Sequence, residues 1–561
     1  MVLYQVISTY QLLNAITHKL TVHPEDDCVL IISNWLVDKF PHYDDLTRFF
    51  KKVIPMNAQM SLSDKYHELN TQYCENLLES NQLSIENFDE IHAMGYHYNF
   101  GAYLSHNNIK HNFWEDAAGL LSAPEILINI NRNGFPLLAE FCEKEHLYDG
   151  TANGIEKRYC NYNAQKNDFN FENTVDFDVV KSLMTLDEET QADVIAFFSD
   201  VEKMSVNENA VLILTQQLFS LRVLSFEEQA LIYQLFVDYF IEEDSIVFKP
   251  HPDDYMFYGI LFPESTVIRK KFPAEFLPIL FSNKPRKIAT ISSTAMNNLK
   301  GYFDEALYLG PRFEKEFKNT HRYKVAYELK NQLFNDYSLL SIGVNEFYKD
   351  AFKVSDDAGS DKRFVIVDKI ASQDEYKYSD IIKMLEDSDE KDVFVFINSS
   401  EDYCFYDTEH KQIWENLAPL VINKTQIRSE EFYESEGEDI IYIFAKDKNL
   451  LNKAQGFDFS YELKHTGLAV STAKLDVNKR NILLLQALLL ATESRLLAYE
   501  TLEKNKDNEK IIPPINEENV ISIRYSDENS SIEQLSEEQN KMRILEGIIR
   551  STERRLIFCT I

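Results

Sequence analysis

Ile246-Val247-Phe248-Lys249-Pro250-His251-Pro252-Asp253-Asp254 is the stretch whose reading decides the fold. A short apolar run passes into Lys-Pro-His-Pro and reads as a buried strand that must stop at Pro250. Each proline removes an N–H donor and fixes its own φ, so the ladder ends there and His251 is held in a restricted pose. Further on, Ile288-Ala289-Thr290-Ile291 breaks in the same way into Ser292-Ser293-Thr294. Both runs predict buried parallel strands whose C-terminal ends release polar groups into one crevice, where open α/β sheets bind ligands. Hydroxyl residues followed by the helix-like Ala295-Met296-Asn297-Asn298-Leu299 suit a phosphate, because hydroxyls and free helix amides both point at it. The pattern implies a nucleotide-sugar site.

Composition sets the frame around this stretch. A chain of 561 residues is too long for one core, and three or four domains are expected. Hydrophobic content of 44% with 13% aromatics belongs to a folded chain. A net charge of −34 argues against a nucleic-acid partner, which needs a basic footprint. It also disfavours wholesale adsorption to anionic lipid, although a local basic patch leaves peripheral docking at the inner membrane face open. Cys28, Cys74, Cys142, Cys160, Cys404 and Cys559 show no CxxC spacing and read as reduced thiols of a cytoplasmic protein. The opening residues lack the basic n-region of a signal peptide. The longest apolar run, Ile482 to Ala491, is broken by Gln486 and is too short for a membrane span.

Taken in order, residues 2–7 alternate into a strand and Tyr10 to Leu20 has helical spacing. Val29-Leu30-Ile31-Ile32, Val53-Ile54, Phe88 to Met94 and His111 to Asp116 read as further strands, separated by helices. Strand–helix alternation of this length predicts a doubly wound parallel sheet, the N-terminal Rossmann-like domain at 1–175. A second unit at 176–350 carries strands at Val211 to Leu214, Ile246 to Phe248, Thr266 to Ile268, Ile288 to Ile291 and Ala306 to Gly310. A linker at Ser355 to Asp361 leads to an accessory α/β domain at 360–470. A helical tail occupies 471–561, with a polar linker near 504–520; its helices at 482–502 and 532–549 are expected to cover a domain face, a protein partner or a second copy. Two Rossmann-like domains facing across a cleft, with an accessory domain and tail, is the expected fold.

Each candidate residue has a plainer reading. His251 alone would be a capped strand-end histidine; beside the hydroxyl cluster it becomes a donor to a phosphate leaving group. Lys249 is either a phosphate contact or a solvated charge, and Pro252 shapes the loop. Ser292, Ser293 and Thr294 cap the next helix or hold phosphate, and the two are compatible. Glu115-Asp116, at a strand end of the first unit, is either a solvated pair or the source of a base across the cleft; crowding would raise one carboxyl. Asp149 competes as base but follows a helix, so a turn is its expected role. The second unit offers no Asp-x-Asp pair at a strand end, and Asp253-Asp254 reads as the start of a helix. No metal or cofactor is therefore expected.

The order strand-end acidic pair, Lys-Pro-His-Pro strand, Ser-Ser-Thr strand end resembles the bacterial sialyltransferases of the GT-B type, the lipooligosaccharide sialyltransferases and capsular polysialyltransferases. The opening Ile7-Ser8-Thr9-Tyr10-Gln11-Leu12-Leu13-Asn14-Ala15 is similar to their first strand–loop–helix. The resemblance spans about residues 1–340. It implies an inverting, metal-independent transferase with a CMP-linked sugar donor and a glycan acceptor. In it His251 serves the departing CMP, Ser292 and Ser293 its phosphate, and Asp116 or Glu115 the acceptor hydroxyl. Ala117 stands where the family's acidic motif has glycine, with Gly119 two residues on. CDP-glycerol polymer transferases also carry a His-Pro strand, and a non-catalytic glycan- or nucleotide-binding module is the alternative from another class.

Overall fold

The computed structural model of the chain describes residues 1–368, 383–397 and 440–457 apart from short internal gaps, with strand segments at 420–423, 426–427 and 460–461. The tail at 471–561, with its expected helices and linker, lies outside the described residues.

The first sheet holds β1 (Val2–Val6), β2 (Cys28–Ser33), β3 (Lys52–Met56), β4 (Glu90–Ala93), β5 (His111–Trp114), β6 (Ile155–Cys160) and β7 (Thr174–Asp176). All are parallel, in the order β3-β2-β1-β4-β5-β6-β7. β6 and β7 are additions to the sequence reading. Ile155-Glu156-Lys157-Arg158-Tyr159-Cys160 is half exposed and charged at an outer position of the sheet, so it lacks the apolar run that marks a buried strand. The stretch after β5 splits at Pro136 into helices Pro124–Gly134 and Pro136–Lys144.

Between the sheets lies the short β8 (Met204–Ser205). The second sheet then follows with β9 (Val211–Leu214), β10 (Ile246–Lys249), β11 (Thr266–Val267), β13 (Lys287–Thr290) and β14 (Glu305–Tyr308), while β12 (Phe281–Asn283) pairs with β8. Its order, β11-β10-β9-β13-β14, repeats the first five positions of the first sheet. Chain crossovers leave β9 in opposite directions toward β10 and β13, which makes its C-terminal end the switch point where ligands bind. The short, continuously buried runs Val-Leu-Ile-Leu and Ile-Val-Phe-Lys suit strands covered on both faces.

A third sheet runs β15 (Ser338–Ile342), β16 (Arg363–Val367), β17 (Val393–Phe396), β20 (Ile440–Phe444), β18 (Leu420–Asn423), its last two pairings antiparallel. β19 (Gln426–Ile427) pairs with β21 (Ser460–Tyr461). β15 falls within 176–350 yet hydrogen-bonds to β16, so the third sheet begins earlier in the chain than the Ser355 to Asp361 stretch.

One apolar cluster contains both Val6, Leu12, Ile16, Leu30 and Ile32 of the first unit and Leu212, Leu214, Ile288, Met296 and Leu299 of the second. A second cluster joins the far face of the second sheet to the third through Phe240, Tyr323, Tyr348, Ile366 and Val395. The first two sheets are thus fused by shared core, with their C-terminal edges carrying the polar strand ends.

At the first sheet's switch point Gly95 adopts φ +64, and a Cβ there would stand 2.4 Å from Ile7 Cγ1 and 2.9 Å from Gln11 Oε1. Both the left-handed backbone and the close approach call for glycine. Gly95→Ala is expected to lower stability by about 2 kcal/mol or more. Gly301→Ala, where a Cβ meets nothing within 4 Å, should leave it nearly unchanged. Urea unfolding of the two variants checks this.

Candidate active site at facing strand ends

Register makes the second-unit half of the site. Lys249 and Thr290 both pair with Leu214, so β10, β9 and β13 end level and release Thr215, His251 and Ser292 at one edge. The edge is tied internally. Thr290 Oγ1 donates to Leu214 O at 2.8 Å and accepts from Ser293 N at 3.0 Å. His251 N donates to Thr215 Oγ1 at 3.3 Å.

Asp253-Asp254 does not start a helix, contrary to expectation; the next helix is Tyr258–Leu261. Asp254 is buried instead, accepting from Gln229 Nε2 at 2.8 Å, Tyr258 OH at 2.7 Å, Met256 N at 3.2 Å and the Thr215 hydroxyl. Burial raises its carboxyl against the pull of these donors. Through Thr215 it anchors the His251 loop. This role was hidden in the sequence because its partners come from three separated elements.

His251 is one-third exposed (32% of its side chain). Asp253 N donates to its Nδ1 at 3.2 Å, which leaves the ring proton on Nε2. Burial lowers the imidazole to about 4; Asp253 opposes the shift, while Lys39, Lys249 and Lys271 reinforce it. Lys39 comes from the first unit, at the end of the helix Asn34–Lys39, so His251 lies within electrostatic reach of both units. Pro250, His251 and Pro252 line a hollow of about 870 Å³ with Arg269, Lys270 and Lys271, a local concentration of positive charge on a strongly acidic chain.

Lys249 is not a solvated charge. It is 4% exposed, donates to Pro250 O at 3.2 Å and lies 4.6 Å from the Phe272 ring centroid. Burial brings its ammonium down to about 8, with Glu275 opposing.

The hydroxyl cluster divides. Ser292 and Ser293 are buried, and Ser292 Oγ donates to the Glu314 carboxylate. Thr294 sits at the N-cap of the helix Ala295–Leu299 without a side-chain capping bond, so the capping reading has no support at that residue.

The acidic pair of the first unit divides too. Glu115 is 4% exposed and accepts from Gly119 N, Leu121 N, Asn161 N and Gln165 Nε2 at 2.9–3.2 Å. Burial pushes its carboxyl up to about 7 against those four donors. Every donor belongs to its own unit's loops, so Glu115 folds the loop after β5. Gly119, at φ +88, lets that loop close; a Cβ there would stand 2.6 Å from Ala164 O. Asp116 is half-buried and accepts from Gln11 Nε2 at 2.6 Å. Gln11 is itself fixed, its Oε1 accepting from Ile7 N at 2.8 Å and Ser8 N at 3.2 Å in a capping box with Ser8. The Ser-x-x-Gln spacing was the signal that could have singled out Gln11. Asp149 accepts from Thr151 N and Oγ1 and forms a turn, as expected.

The units touch where the two halves of the site face each other. Asn297 Nδ2 donates to Ala118 O at 3.0 Å, and Asn161 Nδ2 donates to Asn298 Oδ1 at 3.1 Å. The helix leading out of Ser-Ser-Thr therefore meets the loop following Asp116. His251 is not brought into the same hollow: Asp116 lines a narrow, nearly filled one with His97, Trp114 and Tyr148, which shares no lining residue with that of His251.

The alpha-2,8-polysialyltransferase family model matches residues 6–306, over half of the chain. The chain belongs to this alpha-2,8-polysialyltransferase family. The matched stretch runs from the end of β1 into β14 and takes in Asp116, His251 and Ser292-Ser293-Thr294. No curated protein matches the chain. Among solved structures, UDP-N-acetylglucosamine 2-epimerase from Rickettsia bellii is 14% identical, covering 55% of this chain and 79% of its own, with a TM-score of 0.31. The glycosyltransferase SnogD from Streptomyces nogalater is 9% identical over 56% and 83%, also at 0.31. Arabidopsis thaliana UGT89C1 complexed with UDP-L-rhamnose is 10% identical over 55% and 84%, at 0.29. Polysialyltransferase membership makes glycosyl transfer, from an activated sugar to a glycan, the class of reaction. The expected fold class is borne out by the two Rossmann-like sheets and the third sheet. No helix among the described residues is long and apolar enough to cross a membrane.

The lowered His251 pKa has a definite sign. Its neutral form is favoured in the folded chain, so its contribution is complete above 6.5 and is lost as pH falls toward about 4. His251→Gln should flatten the stability–pH curve across that interval. In NMR titration the His251 ring should titrate near pH 4.

Proposed function

We propose that the chain transfers sialic acid from a CMP-linked donor to a hydroxyl of a glycan acceptor, with inversion and without a metal at the reacting carbon. The strongest support is the Asn297–Ala118 bridge, which joins the exit of the Ser-Ser-Thr strand end to the loop behind Asp116. The family name points to α2,8-linked polysialic acid as product. Sialic acid is β-linked in its CMP donor, so an α-linked product demands inversion at the anomeric carbon.

In this reading Asp116, oriented by Gln11, takes the proton of the acceptor hydroxyl. The hydroxyl oxygen attacks the anomeric carbon, the bond to the phosphate oxygen breaks, and its electron pair leaves with CMP. His251 Nε2–H meets the developing phosphate charge, and Lys249 with Lys271 adds fixed positive charge nearby. That charge does the work a metal would do. Ser293 and Thr294 hold the phosphate, while Ser292 is engaged with Glu314. Glu115 supports the Asp116 loop and takes no proton from substrate. The sheets divide the labour as an acceptor-side domain, a donor domain and an accessory domain.

Incubation with CMP-sialic acid and a sialylated oligosaccharide, followed by CMP release and product length, tests this. His251→Ala and Asp116→Asn should each lower kcat by about 100-fold or more with the fold retained. Wild-type turnover in His251→Ala or in Asp116→Asn would overturn the shared site. Binding of CMP-sialic acid without any CMP release would make the protein a binding module. CMP release from CDP-glycerol alone would move the donor to a glycerol phosphate.

A further inference from the structure

We propose that His18, His23, Glu90 and His92 form a binding site for a divalent transition metal of the zinc type, built into the first sheet on the side away from the cleft. The helix Thr9–Val22 starts at the cleft edge and runs back along the sheet, delivering His18 and, just past its end, His23. β4 contributes Glu90 and His92, two residues apart and so on the same face. His92 is level with Tyr4, in mid-sheet.

The ligand atoms of the three histidines lie within 4.8 Å of one another. Their ring centroids are 4.7, 5.2 and 5.9 Å apart. Glu90 stands beside two of the three, with Oε2 3.6 Å from His23 Nε2 and Oε1 3.5 Å from His92 Nε2. Two atoms bound to one tetrahedral zinc stand about 3.3 Å apart, so small movements suffice. His92 is 0% and His18 1% exposed, and the Nε2 atoms of His23 and His92 are buried without a hydrogen-bond partner. Native proteins rarely leave such atoms unsatisfied, and here both turn toward the same carboxylate.

The outer contacts fit as well. Asp26 Oδ2 is 2.7 Å from His23 Nδ1, so Nδ1 carries the proton and Nε2 presents a lone pair. Tyr4 OH lies 2.7 Å from His18 Nδ1, and Asn112 Nδ2 donates to Glu90 Oε1 at 2.7 Å. Trp114 Nε1 donates to His92 Nδ1 at 3.0 Å, which puts that ring's proton on Nε2 before a metal arrives. Binding at Nε2 requires the other tautomer, with the proton on Nδ1 and the indole bond given up, a shift within the ring that releases no proton. Trp114, Tyr159 and Phe177 pack against His18 and wall the cluster from water. Lys157 Nζ, 3.9 Å from Glu90 Oε1, is half exposed and free to swing out. Imidazoles with one carboxylate suit zinc or cobalt better than calcium or magnesium. A buried set of three imidazoles with a carboxylate beside two of them holds structure, and the proposal does not depend on the transfer mechanism.

Purified full-length protein, stripped with a chelator and titrated with Co²⁺, should take up one equivalent with the visible absorption of tetrahedral cobalt. Zn²⁺ should displace it and, added to the stripped protein, raise the melting temperature. His23→Gln and Glu90→Gln, checked for native circular dichroism, should each abolish the tetrahedral spectrum, while His67→Gln should keep it. Absence of stoichiometric uptake by the folded wild type would overturn the site. So would metal binding that His23→Gln and Glu90→Gln leave unchanged.

Discussion

The structure depends on one constraint of register: Lys249, Leu214 and Thr290 stand in a row across three parallel strands. Hydrogen bonding fixes that row, and everything chemically useful in the second unit is released from it within a few residues. Thr215, His251 and Ser293 reach the edge together because their strands stop together. Proline is what stops β10, and Thr290 Oγ1 secures the neighbouring exit by bonding both Leu214 O and Ser293 N. A slip of one residue would turn each side chain to the opposite face.

Charge is distributed against the average of the chain. The whole carries −34, yet Lys39, Lys249, Arg269 and Lys271 gather around His251. Such a concentration resists burial, as the lowered Lys249 and His251 values record, and an entering phosphate would relieve the repulsion. Acidic groups nearby are fixed by hydrogen bonds: Asp254 holds the loop from below, and Glu115 is consumed by four donors in the other unit.

The fold was legible where strands are buried on both faces, because Val211 to Leu214 and Ile246 to Phe248 leave no room for polar residues. β6 was not, since Glu156, Lys157 and Arg158 break any apolar run in a strand next to the rim of the sheet. His251 and the Ser-Ser-Thr cluster were readable because proline and hydroxyl residues interrupt apolar runs. The difference between Glu115 and Asp116 was not, because it rests on donors far away along the chain, Asn161 and Gln165 for one and Gln11 for the other. Asp254 looked like a helix start from its neighbours, and only Thr215, Gln229 and Tyr258 reveal it as an anchor.

The apolar cluster common to the first two sheets limits how they can travel. Swinging the halves widely apart would divide this shared cluster and wet both surfaces. Small sliding of packed helices keeps that contact, so shear is the cheaper movement for admitting a ligand. Any ligand admitted between the two sheets would then enter along the seam, with no wide gape to receive it.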